Sequence, residues 1–138
     1  MKLYFERKET PFVFEIKNEN GATAVVDATT NIGGKNKGLT PMQLLAGSLA
    51  GCMSIDVISI LNKQKIEPNY FAIEIQATKK EGQPSPFENI KLIFKVNKEV
   101  PHDKLEKAII LSKEKYCSVY FSLNEEIEIN YTIEYLEQ

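Results

Sequence analysis

Tryptophan is absent from the 138 residues, histidine and arginine occur once each, as His102 and Arg7, and cysteine occurs only twice. One histidine and two cysteines are too few for a zinc site unless carboxylates supply the remaining ligands, so no metal and no cofactor are expected. Two cysteines are also too few for a disulfide framework, and a reducing cytosol would not keep one, so any function at Cys52 or Cys117 is redox or nucleophilic. Ser54, Ser118 and Ser122 lack a histidine base, which argues against serine hydrolysis. An excess of either charge is missing too: 17 basic and 19 acidic residues leave a net charge of -2, with no basic stretch interleaved with aromatics, so nucleic acid is not expected as a partner. No apolar segment opens the chain, where Lys2, Glu6, Arg7, Lys8 and Glu9 crowd the first ten positions, and a signal peptide is not expected. The most apolar stretch, Leu44 to Leu61, is interrupted by Ser48, Ser54, Asp56 and Ser59 and makes a poor membrane span. These features predict a soluble cytoplasmic protein, and with 43% hydrophobic residues the chain is long enough for one domain, 1–138, with its own core.

Apolar residues alternate with charged ones at Leu3 and Phe5, then at Phe12, Phe14 and Ile16, which predicts two strands that each lay one face on a core, joined by a turn at Glu9-Thr10-Pro11. Asn18 to Gly21 predicts a second turn, followed by a third strand over Thr23–Asp27. Ala28 to Leu39 is rich in glycine and polar residues; its Gly33-Gly34-Lys35-Asn36-Lys37-Gly38 spacing fits neither a P-loop nor a dinucleotide fingerprint, and reads as a flexible loop. Thr40-Pro41 is a strong helix start. A long helix is expected from there to about Gln64, apolar on nearly all sides and therefore central and covered all round, with Ala46, Gly47, Ser48, Ala50 and Gly51 permitting close approach of another backbone. Two strands joined by the Glu81–Pro86 loop follow, with Ile90, Leu92, Phe94 and Val96 on one face. A second helix is expected from Pro101 to Cys117, a helix or turn over Val119 to Leu123, and a last strand through Ile127, Ile129, Tyr131, Ile133 and Tyr135. The fold class is α+β, with the order βββ-α-ββ-α-β.

Cys52 falls in the middle of the long helix and Cys117 at the end of the second, sixty-five positions later. Buried free cysteine often serves as a small hydrophobe, and position alone leaves that reading open beside a reactive one. Asp56 lies one helical turn after Cys52 on the same face, where its charge would disfavour a thiolate; pairing with a lysine from a dimer partner or capping another element is the other reading of it. His102, beside Pro101, reads as an exposed first-turn residue. Tyr116 could donate to a site at Cys117, but its spacing fits the core better.

The segment Gly38-Leu39-Thr40-Pro41-Met42-Gln43-Leu44-Leu45-Ala46-Gly47-Ser48-Leu49-Ala50-Gly51-Cys52, joined by Lys115-Tyr116-Cys117-Ser118-Val119, resembles the OsmC-like family, which includes the organic hydroperoxide resistance proteins. Cys52-Met53-Ser54-Ile55-Asp56-Val57 and Glu114-Lys115-Tyr116-Cys117-Ser118-Val119 are most similar to its branch of redox proteins, or disulfide-bond-related regulators. The resemblance implies an intertwined homodimer with the long helices at its centre and two sites at the subunit boundary. It also implies thiol chemistry serving the oxidative stress response: Cys52 attacks an organic hydroperoxide and becomes a sulfenic acid, Cys117 condenses with it to a disulfide, and an external dithiol restores both. Well-understood members add an arginine held by a glutamate directly after the helix-capping proline. Here that position is Met42, followed by Gln43, and Arg7 is the only candidate for the arginine; Lys115, Lys35 and Lys37 are the other sources of positive charge. The alternative to a peroxidase is a noncatalytic dimeric binding protein, with a hydrophobic cleft near Cys52 for a lipid-like or thiol ligand.

Overall fold

Alternating side chains and turn residues shape the N-terminal part as expected. In the computed structural model, which describes residues 1–137, β1 (Leu3–Glu9), β2 (Val13–Asn18) and β3 (Thr23–Val26) form an antiparallel sheet in that order. The Asn18 side chain closes the second turn by accepting from the amides of Asn20 and Ala22. One expectation fails on β1: Leu3 and Phe5 are more than half exposed. Phe5 instead stacks on Phe14, its diagonal neighbour across the β1–β2 pair, with ring centroids 4.9 Å apart.

The glycine-rich segment after β3 is not featureless. Thr30–Ile32 form a turn of 3-10 helix, and the buried Asp27 carboxylate accepts the backbone N–H of Ala28, Lys35 and Lys37 at 2.7, 3.0 and 3.2 Å. Burial raises the Asp27 pKa, but these amides and the nearby Lys35 charge outweigh it and hold the carboxyl below its ordinary range. Glycine is required where the loop folds back: a side chain at Gly34 would strike the Ala28 carbonyl, and one at Gly38 the Val25 carbonyl. Backbone bonds from Leu39 to Val25 and from Asp27 to Leu39 then fix the entry into the long helix.

That helix, α1 (Pro41–Lys63), opens with a reciprocal cap: the Thr40 hydroxyl accepts from the Gln43 amide, and the Gln43 side-chain oxygen accepts from the Thr40 amide at 2.9 Å. By length and composition α1 is the one described helix that could cross a membrane. It is not covered all round. A single stripe is buried, Ala46, Leu49, Ala50, Met53, Val57 and Leu61, whereas Gly47, Gly51, Ile55 and Ser59 on another face are exposed. Ile55 on that face is among the exposed large apolar residues.

The chain divides into two compact units, Met1–Leu45 and Ala46–Gln138. The second contains most of α1 and a sheet of order β4 (Phe71–Lys79), β5 (Phe87–Asn97) and β6 (Glu128–Leu136). β4 and β5 make the expected hairpin, and β6 returns parallel to β5, pairing Ile90 with Ile129 and Phe94 with Ile133. β5 is the central strand, and Ile90, Leu92, Phe94 and Val96 are fully buried on it. Phe71, Phe94 and Tyr131 meet edge to face across all three strands. The crossover from β5 to β6 is α2 (His102–Leu111), a turn of π-helix over Ser112–Tyr116, and a short α3 (Ser118–Ser122). The expected helix to Cys117 therefore stops six residues early, and the π-helical turn carries the chain to the cysteine.

Candidate functional site

The cysteines, remote in sequence, converge within the second unit. Cys52 is half-buried in the middle of α1, and Cys117 is fully buried at the junction of the π-helical turn and α3. The sulfurs of Cys52 and Cys117 and a carboxylate oxygen of Asp56 all lie within 4.8 Å of one another. Three functional groups thus come from two segments, with Cys52 and Asp56 one turn apart on α1 as their spacing predicts.

The π-helical turn explains how Cys117 is held. Its amide bonds to the Ser112 carbonyl at 2.8 Å, five residues back, which closes the wide turn. Cys117 itself is extended, with φ -75° and ψ 102°, and caps α3 by accepting the Tyr120 N–H on its sulfur at 3.3 Å. Ser112, fully buried, donates its hydroxyl to Asp56 Oδ2 at 2.8 Å. Within this chain the Asp56 carboxylate is thus held by Ser112 beside the two sulfurs. Sequence reasoning passed over Ser112, although it continues the buried stripe Leu105, Ala108 and Ile109 of α2 as its polar member. A hydroxyl at a stripe position marks a partner to be satisfied.

The environments of the two thiols differ. Burial pushes the Cys117 thiol up to about 11; the Tyr120 amide opposes this, while hydrogen bonding to the Cys52 sulfur and the negative charges of Cys52 and Asp56 add to it. Cys117 is therefore protonated at neutral pH. Cys52 is the more exposed of the two residues.

The other residues singled out in the sequence have partners of their own, each within its unit. Arg7 sits on β1 in the first unit, where its Nη1 donates to the Pro11 carbonyl at 3.4 Å. Lys35 and Lys37, also in the first unit, each place Nζ 2.6 Å from the Glu9 carboxylate. In the second unit Lys115 lies 5.6 Å over the Tyr116 ring, and Lys113 donates to the Ile129 carbonyl. Tyr116 is 52% exposed rather than a core residue. His102 is exposed as expected, beside Glu106 and the Tyr135 hydroxyl. Gln43, which follows Met42 at the family's glutamate position, is used in the cap of α1.

Comparison with known proteins agrees with this architecture. The profile of the OsmC-like protein family matches residues 34–132. Protein YhfA of Escherichia coli K12 is 31% identical over 100 residues, which cover 72% of this chain and 75% of that protein. Among solved structures, a hypothetical protein from Aquifex aeolicus VF5 is similar over 99% of this chain and 97% of its own, with 28% identity and a TM-score of 0.79. The organic hydroperoxide resistance protein OhrB of Bacillus subtilis shares the fold, with a TM-score of 0.67 at 16% identity over 97% of this chain and 98% of its own. With the family profile covering most of the chain and the βββ-α-ββ-α-β order matching its solved relatives, this protein belongs to the OsmC-like family.

Proposed function

We propose that this protein is a thiol-dependent reductase of organic hydroperoxides, in which Cys52 is the attacking thiol and Cys117 the resolving one. The observation that carries the reading is the convergence of the two sulfurs within 4.8 Å, with one half-buried and the other sealed and protonated. The Cys52 thiolate attacks the distal oxygen of the hydroperoxide; the O–O bond breaks, and the alkoxide leaves as an alcohol after taking up a proton. Cys52 is left as a sulfenic acid. The Cys117 sulfur then displaces hydroxide from that sulfenic acid, the thiol proton completes a water, and the S–S bond forms. A disulfide requires the sulfurs to approach to about 2.05 Å, a closure of less than 3 Å from the separation here. An external dithiol, oxidised in turn, returns both cysteines to thiols.

The whole chain, 1–138, acts in this reading as one OsmC-like domain in the cytoplasm and pairs with a second copy. The exposed face of α1 supports the pairing: Gly47, Gly51 and Ile55 follow one another at four-residue intervals, Ile55 is 69% exposed, and among the described residues nothing lies within 4 Å of a Cβ built at either glycine. Such a face admits a neighbouring helix closely. Arg7 is the arginine we assign to the site, by its correspondence with the family's arginine. The noncatalytic binding reading keeps one point in its favour, Met42 at the family's glutamate position.

Turnover of cumene hydroperoxide by the reduced protein with a dithiol present tests the assignment. Loss of turnover in Cys52→Ser, together with a trapped sulfenic acid in Cys117→Ser, is expected. Thiols that stay unreactive in a folded protein would leave the binding reading instead.

A further inference from the structure

The Cys52, Asp56 and Cys117 cluster has a charge pattern that suits a cation better than it suits a second anion. A carboxylate beside two sulfurs opposes the formation of thiolates, whereas a dication draws all three groups together. The donor types, two sulfurs and one oxygen, match what zinc binds, and tetrahedral zinc with bonds of about 2.3 Å to sulfur and about 2.0 Å to oxygen sets its ligand atoms about 3.5 to 3.8 Å apart. The three atoms here already lie within 4.8 Å of one another, so closure onto a cation takes side-chain adjustments of about an ångström.

The supports are those of a held site. Cys52 and Asp56 chelate from successive turns of one helix, and Cys117 comes from a second segment fixed by its own backbone bond to Ser112. Ser112 donates to Oδ2 of Asp56 and the Tyr120 N–H to the Cys117 sulfur, so both ligand side chains are held by groups around the site. The carboxylate that the count of cysteines and histidines demanded of any zinc site is therefore in place.

We propose that the reduced protein binds one thiophilic divalent cation of the zinc type per chain through Cys52, Asp56 and Cys117. The fourth corner of the tetrahedron is filled by water or an exogenous thiol. Two S–H bonds break, their protons go to solvent, and two metal–sulfur bonds and one metal–oxygen bond form without any change of oxidation state. Oxidation of the pair to a disulfide removes both sulfur ligands, so metal occupancy and the disulfide exclude each other. The inference does not rest on hydroperoxide turnover, because binding is measured with no peroxide present and either can fail alone.

The test titrates the full, reduced chain with cobalt(II) under anaerobic conditions, then with zinc against a chromophoric chelator. A sulfur-to-cobalt charge-transfer band saturating at one equivalent, bleached by zinc and absent from the disulfide form, is the expected result. Zinc affinity should fall at least 100-fold in Cys52→Ser and Cys117→Ser, and about 10-fold or more in Asp56→Asn. A reduced wild-type chain that develops no such band overturns the proposal, as does a folded Asp56→Asn with unchanged zinc affinity. Should Asp56→Asn not fold, the wild-type spectrum before and after oxidation decides alone.

Discussion

The charge of Asp56 should add to the burial that holds Cys117 protonated, and the size of its share is bounded by the geometry. At the outer limit of 4.8 Å between carboxylate oxygen and sulfur, two unit charges interact by about 3.5 kcal/mol at an effective dielectric constant of 20, and by about 0.9 kcal/mol if water screens them fully. Asp56→Asn removes this repulsion while its amide oxygen still accepts from Ser112. In a Cys52→Ser background, which isolates Cys117, thiolate formation followed by ultraviolet absorbance against pH should shift to lower pH when Asp56 becomes Asn. At any fixed pH below the transition, the thiolate-to-thiol ratio should rise by a factor of about 5, the effect of the smaller of those energies, because burial and not Asp56 is the main cause of the rise at Cys117. A titration curve that does not move, or that moves to higher pH, would show that the carboxylate is not charged beside the sulfur, and the account of the site's electrostatics would be wrong.

Other consequences can be checked on the same protein. Gly51→Leu tests the proposed pairing of two copies: a folded monomer by light scattering is expected, since a Cβ at Gly51 meets nothing within 4 Å among the described residues, whereas the leucine would obstruct a helix packed on this face. Thr40→Ala removes half of the reciprocal cap of α1 and should cost about 1 kcal/mol in urea unfolding, with Thr40→Ser recovering most of it. Stability should also vary with pH at both extremes. Because folding raises the Cys117 value from about 9 to about 11, its contribution is complete below about 9 and is lost as pH rises towards 11; Cys117→Ala should flatten that alkaline loss. Folding depresses Asp27, so its contribution is present above the ordinary carboxylate value and disappears as pH falls through its folded value, an acid sensitivity that Asp27→Asn should reduce.

The parts of the fold legible in the sequence are those where one local signal dominates. Thr40-Pro41 placed the start of α1 to the residue, and strict alternation located the β4–β5 hairpin and β6. The Cys52–Asp56 face followed from helical spacing alone. What was not legible depends on contacts remote in sequence or outside the chain. Nothing local announces that β6 runs parallel to β5, or that five residues before Cys117 widen into a π-helical turn and turn Ser112 towards Asp56. The apolar excess of α1 suggested burial on every side, whereas one chain covers a single stripe. Composition reports how much apolar surface must be covered and is silent on which molecule covers it. Asp27 shows the same limit: a lone aspartate after a strand gives no sign that three amides up to ten residues away converge on it.

The most direct test of the central claim is to mix the reduced protein with one equivalent of cumene hydroperoxide and follow intact mass and free thiol over time. Formation of an intramolecular Cys52–Cys117 disulfide within seconds, with one equivalent of alcohol released, is the predicted result. Thiols that persist for minutes in the folded protein, or an oxidation that links Cys52 to any partner other than Cys117, would contradict it.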